Sequence, residues 1–447
     1  MKKLIILPLM LAMASLFYLQ SCWNLTRVSP PCPTITDRKP DGAHFGETVT
    51  VIGSGFLKGS PELYTVSING QAIPKENILD VPNEQSLTFR VPKGASTGQL
   101  TVIPTGSTDC KASNSLTFTY YYTATMVSLL AGTLKTITCP TNATDNFLNN
   151  PSGLDVDNSD NVVVADKNHN QVRVIKPSAS NLTDKGTIIS THGKVNMICS
   201  TGCDSIIVMQ SGGALFRSPS DIDVDISNDI YVMEESSNAT MRLIKAFGTN
   251  SVEVFAGKCQ NSMIKDGHRL TIARINLPLG VYKDGNVIYF TDAGDIRKID
   301  ISSGIVGPFA TKPANSFYRG IEISRARPEG LVFVTDELTK TIKFYTAGAA
   351  PGTVSIRNTN ILNRPVALTI DSKGNIYIAD QGAHRIFVIY LNGELSTLAG
   401  TTMGYVDNVR GDEAQFDTPI GVALNEKLKV VYVSDSRNHV VRTIKME

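Results

Sequence analysis

Three carboxylates, Asp155, Asp223 and Glu322, stand at one place in copies of a recurring segment whose other copies carry Tyr282, Thr369 and Ala423 there. Acids gathered around one axis can hold a hard cation such as calcium. They can also raise one another's pKa into the range of acid–base work, or line a water-filled channel as solvated groups. Asp221, Arg319 and Arg364 fall nearer the start of the same segments. Arg274, Tyr405 and Arg410, in connecting stretches, add donors and an aromatic surface for a polar ligand. A metal-dependent hydrolase or lyase is the enzymatic reading of the three acids. Against it, the chain shows no nucleophile elbow, HExxH, phosphate loop or Ser/His/Asp grouping, and no His at the acids' positions.

Other reactive types fit structural roles better. Each copy of a phrase at 162–166, 230–234, 288–292, 332–336, 376–380 and 431–435 ends in an acid. An acid in every copy reads as a turn former that binds backbone N–H groups. His169, His384 and His439 follow three of these acids in the turns after the phrase. Three His on one face invite a metal reading, but they come from the first, fifth and sixth copies, and a turn role fits better. The seven Cys include Cys22 near the start; Cys32 and Cys110 could staple an N-terminal domain. Cys139, Cys199, Cys203 and Cys259 remain. Pairing between neighbouring linkers competes with a local Cys199–Cys203 bridge, and no CxxC spacing supports zinc.

The phrases themselves are three apolar residues, one small or neutral residue, then the acid. They recur at intervals of roughly 45–70 residues with β-type alternation around them, which is the signature of a β-propeller. Each unit offers an inner strand (153–157, 221–225, 280–284, 320–324, 366–371 and 421–425), the phrase as second strand, and an apolar third strand. Fourth strands are expected at 186–190, 252–256, 305–310, 352–356 and 395–399. The sixth unit ends at its third strand, but 126–133 closely matches 394–401. An N-terminal strand would therefore close the ring of six and cover its open edges.

In an antiparallel meander the long linkers 134–150, 193–215, 257–276 and 402–415 share one face with the turns between second and third strands. Long connections on a rigid scaffold are where binding groups concentrate, so this face is the expected binding face. The repeats resemble NHL repeats, best at 364–386, where Gly374-Asn375 precedes the phrase and His384-Arg385-Ile386 follows it. The stretches 151–175 and 419–444 are nearly as good, whereas the second and fourth copies are degenerate.

Residues 33–122 read as short strands between turns, the pattern of a small β-sandwich. Strands are expected at 48–52, 64–68, 86–91, 99–103 and 115–121, with a turn at Asn69-Gly70. The phrases 46–56 (Gly-Glu-Thr-Val-Thr-Val-Ile-Gly-Ser-Gly-Phe), 91–94 and 116–120 resemble IPT/TIG domains of immunoglobulin-like fold. That implies glycines at turns, Phe and Tyr in the core, and no catalytic group. The run Tyr120-Tyr121-Tyr122 reads as alternating core and surface residues rather than a sugar-stacking platform.

Residues 1–21 have a basic start and a short apolar run, as an export signal does. Leu19-Gln20-Ser21-Cys22 resembles the bacterial lipobox, which implies lipidation of Cys22, a tether at 22–32 and attachment to the outer membrane. A net charge of +1 gives no electrostatic footprint for nucleic acid. The domain order, anchor then IPT/TIG domain at 33–122 then NHL propeller at 126–447, resembles lipoproteins of the Bacteroidetes. The expected function is recognition of a glycan, peptide or protein partner.

Overall fold

In the computed structural model the chain divides into two units, the first ending at Tyr120 and the second beginning at Tyr121. The structure describes residues 32–105, 110, 114–134, 147–178, 185–193, 209–210, 216–235, 239–245, 251–257, 263–346, 349–357 and 362–447. The expected export signal at 1–21, Cys22, and Cys139, Cys199, Cys203 and Cys259 lie outside the described residues. No helix among the described residues is long and apolar enough to cross a membrane.

The first unit is a two-sheet, immunoglobulin-like sandwich. One sheet runs Thr34–Lys39, Thr48–Ser54, Ser86–Arg90, Ile78–Asn83; the other runs Gly42–Ala43, Leu116–Tyr120, Gly98–Pro104, Tyr64–Ile68, Gln71–Ala72. Alternation puts Val49, Val51, Leu87 and Phe89 of one sheet and Val66, Leu100, Val102 and Phe118 of the other into a shared core. Phe89 and Phe118 meet edge to face at 6.2 Å. Asn69 and Gly70 both take positive φ, as a tight hairpin turn demands. Cys32 and Cys110 form a disulfide.

The second unit holds six sheets among the described residues, each a meander. Their inner strands are Pro151–Val156, Pro219–Val224, Pro278–Asp284, Tyr318–Ile323, Pro365–Ile370 and Pro419–Asn425. The acid-ending phrase is the second strand of every sheet and is buried along its length in five of them. Both of its faces pack against neighbouring sheets, hence its continuous apolar run. In the sixth sheet Val440–Met446 pairs on one side with Val430–Asp435 and on the other with Ala124–Gly132. Two sheets gain a fifth, outermost strand from the preceding linker, Met209–Gln210 and Gly267–His268. The fourth sheet's outer strand is shorter than expected, only Gly352–Thr353.

Packing links the sheets in order. Val163 and Val172 of the first sheet meet Ile222 and Val232 of the second. The pattern repeats to the last interface, where Leu154 and Val162 of the first sheet meet Tyr432 and Val441 of the sixth. Hydroxyls reinforce these interfaces: Ser152 Oγ donates to Pro219 O at 2.8 Å and Thr291 Oγ1 to Arg319 O at 2.7 Å.

Candidate functional site

The inner strands surround a cavity of about 340 Å³, lined by residues of all six sheets. An inner strand is a sheet edge, so its outward N–H groups lack a ladder partner. Carboxylates from the preceding sheet supply one. Asp155 accepts from Val156 N at 2.7 Å and from Val224 N of the second sheet at 2.8 Å. Asp221 accepts from Val281 N at 2.9 Å, and Asp223 from Lys283 N at 3.1 Å. Gly153 is required here, because a Cβ on it would lie 2.1 Å from Asp221 Oδ1. Glu322 takes hydrogen bonds from the Tyr282 hydroxyl and Ile323 N–H.

Asp155, Asp221 and Glu322 are half-buried and Asp223 is buried along the cavity wall, so desolvation is the largest influence on their protonation. Burial pushes Asp155 up to about 6 and Asp221 to about 7. Asp223 and Glu322 are raised well above the ordinary carboxylate range, by burial first and then by the neighbouring acids. The Glu322 charge, then burial, holds the Tyr282 hydroxyl protonated. Near neutral pH the cluster therefore donates hydrogen bonds as well as accepting them. The opposite wall, from Ala367, Leu368, Thr369, Gly421, Val422 and Ala423, carries no charge. The lining reaches Ile226 and Gly285 in the turns that follow two inner strands, and Ile226 is 91% exposed. That end is opposite the one at which the described linker residues 263–276 and 402–415 lead into the inner strands. Lys283 Nζ sits there, 3.2 Å from Asp225.

The structure thus brings Asp155, Asp221, Asp223, Tyr282 and Glu322 together and leaves five other candidates outside the cavity's described lining. Arg319 and Arg364 both pair with Glu337, at 3.1 and 2.6 Å. Arg274 donates to Ile272 O and Ala273 O in its own linker. Tyr405 donates to Asp407, its ring 4.6 Å from the Arg442 guanidinium, and Arg410 pairs with Asp412 on the surface. Among the described residues no group of three or more His, Cys, Asp or Glu is disposed to hold a metal ion.

The recurring acids behave as turn formers. Asp292 accepts from Asn276 N and Leu277 N, and Asp380 from Asn363 N, Arg364 N, Gly382 N and Ala383 N. His169 is buried against Asp166, and His439 Nδ1 accepts from Asn150 N at 3.1 Å. Tyr121 packs on Tyr390 at 4.6 Å.

Sequence reasoning passed over four arginines of the third strands, Arg173, Arg242, Arg297 and Arg442, which pair with Asp166, Glu234, Asp292 and Asp435. Each stands opposite the residue two places before its acid: Val164, Val232, Phe290 and Val433. Turns of different length give the pairs different spacings along the chain, which hides the pattern. Arg297 also holds Lys265 O and Arg274 O, and Arg442 holds Val406 O and Gln415 O, so these two fasten long linkers to the sheets.

Comparison with known proteins follows these divisions. Residues 33–120 match the IPT/TIG domain, and residues 148–175 and 362–389 match the NHL repeat. NHL repeat-containing protein 2 of Gallus gallus is 44% identical over 85 residues, and that of Bos taurus 36%. Each match covers 19% of this chain and 11% of the relative. Among solved structures, a protein of unknown function from Bacteroides thetaiotaomicron aligns over 93% of this chain and 98% of its own, at 15% identity and TM-score 0.57. An auxiliary nutrient binding protein from Bacteroides ovatus aligns over the same shares at 16% identity and TM-score 0.51. One of the same description from Bacteroides thetaiotaomicron reaches 0.50 at 15% identity. At these identities the likeness is one of fold, a propeller type preceded by an immunoglobulin-like domain.

Proposed function

We propose that this chain is a lipid-anchored binding protein of the cell envelope whose six sheets are the blades of a propeller closed by Ala124–Gly132. Its ligand is a glycan or a peptide segment that places a polar group in the central cavity. The observation that carries this is the cavity itself, with hydrogen-bonding acids and Tyr282 on one side and a neutral, small-residue wall on the other. A half-polar, half-apolar cavity on a rigid frame suits recognition of an uncharged polar ligand. The name of two proteins of like fold, auxiliary nutrient binding protein, agrees with a capture role. Both oxygens of Asp155 accept backbone N–H groups, and Glu322 accepts from Tyr282 and Ile323 N, which favours binding over the rival reading, a metal-dependent hydrolase or lyase.

The test is calorimetry of the mature chain against a panel of glycans and peptides. Tyr282→Phe should weaken binding about fivefold to tenfold by removing one hydrogen bond. Replacing 402–415 by a short linker should leave it intact. The converse, binding indifferent to Tyr282 and abolished by the linker change, would move the site to the linker-bearing face. A saturable rise in Tm with calcium would instead make the acids a cation site. Mass spectrometry of the N-terminal peptide reads the lipid on Cys22.

A further inference from the structure

A second pocket, of about 100 Å³, lies between the first and second sheets. Its walls are Val163, Val174, Val224, Ile230 and Ile244, with Ile189 half-exposed at the rim. The polar groups bordering it are already engaged, with one exception. Asp157 accepts from Ser159 N, Asn161 N and Asn161 Nδ2; Asn228 Oδ1 accepts from Asn158 N; and Lys245 pairs with Asp229 at 3.0 Å. The exception is His192, which is only 4% exposed. Its Nε2 lies 3.1 Å from Ser190 Oγ, while its Nδ1 has no hydrogen-bond partner among the described residues. Burial lowers the basicity of this imidazole to about 4, so it is neutral at physiological pH.

A buried polar atom without a partner carries a desolvation penalty that a matching ligand atom would relieve. The apolar walls decide what else that ligand is. A dry cavity of about 150 Å³ lined by aliphatic and aromatic side chains takes up benzene, so a pocket of this size suits a single ring or a branched aliphatic group. A charged group would be desolvated there with no free counter-charge beside it. We propose that this pocket binds a small neutral group, a ring or branched aliphatic, carrying one oxygen that hydrogen-bonds His192 Nδ1. The pocket shares Val224 with the central cavity but is walled by different side chains, so its occupancy does not depend on the function proposed above.

Phenol and toluene, alike in size and differing by one hydroxyl, are the probes. Each is titrated into the full chain carrying ¹³C-labelled Val and Ile methyl groups. Both should shift the methyls of Val163, Val174, Ile189 and Ile244 saturably, with phenol binding about tenfold tighter, the worth of one good hydrogen bond. His192→Phe should abolish that preference. In the unaltered protein the His192 Nδ1 resonance should move with phenol and stay with toluene, which serves even if the variant folds poorly. No saturable methyl shift with either probe overturns the site. A phenol preference without any Nδ1 response overturns the role of His192.

Discussion

At the scale of single residues, the acids of the inner strands do two things at once: they brace neighbouring sheets and they share a confined charge. Asp155 shows both. Its carboxylate bridges to Val224 N, and its charge stands against Asp221, Asp223 and Glu322. Asp155→Asn keeps one acceptor and removes the charge. The Asp221 carboxyl, at about 7 in the parent, should then titrate lower when followed by carbon-detected NMR. An unchanged Asp221 titration would mean that burial alone sets its protonation. The positions of these acids were readable because they break a repeat. Their bracing role was not, since it depends on which backbone N–H of the next sheet lies within reach. Arg319 and Arg364 illustrate the converse limit: their charge was visible in the chain, but not their shared partner Glu337.

At the scale of elements, strands with buried faces declared themselves and edge strands did not. The expected strand at 64–68 matches Tyr64–Ile68, whereas Thr34–Lys39 and Ile78–Asn83 went unforeseen. Both are edges of the first unit's sheet, and their Asp37, Arg38, Lys39 and Pro82 are the residues that keep edges from pairing with other chains. The match of 126–133 to 394–401 found a strand far from its partners, because the repeat had one strand too few. That strand buries Val127 against the fifth and sixth sheets, and Leu130 and Ala131 against the sixth and first. Its two larger side chains each contribute about 1.5–3 kcal/mol. A chain beginning at Tyr121 should therefore unfold in one cooperative transition in urea, and one beginning at residue 134 should not. Equal behaviour of the two would deny the strand any part in stability. The long linkers are elements of another kind, fixed by buried charge. Arg442→Ala strands Asp435 in the interior and frees Val406 O and Gln415 O. It should lower the unfolding free energy by about 3–5 kcal/mol, the usual result of removing one partner of a buried pair. A loss below 1 kcal/mol by urea titration would show that the pair is solvated.

At the scale of the whole molecule, the confined acids and the buried histidines set opposite pH trends. His192, lowered to about 4, and His439, also lowered by burial, are disfavoured as cations in the fold. The unfolded chain binds those protons between about pH 6.5 and 4, so this part of the stability is lost as pH falls through that window. The acids act the other way. Asp155 at about 6, Asp221 at about 7, and the raised Asp223 and Glu322 hold protons in the fold that the unfolded chain has already released. Their contribution is complete below the ordinary carboxylate range and disappears as pH rises through the folded values. Above about pH 6.5 the histidine trend is nearly exhausted and the acids dominate. Each acid still protonated only in the fold then costs about 1.4 kcal/mol of stability per pH unit. Urea unfolding at pH 6, 7 and 8 should accordingly show stability declining with pH, with proton release on unfolding at pH 6. Asp223→Asn, which keeps an acceptor for Lys283 N, removes one titrating group and one repelling charge. It should flatten the decline and raise stability most at pH 8. A parent profile already flat from pH 6 to 8 would mean that the acids are ionised at pH 6, and the cavity would then be a hydrated anionic channel rather than a mixed donor and acceptor surface.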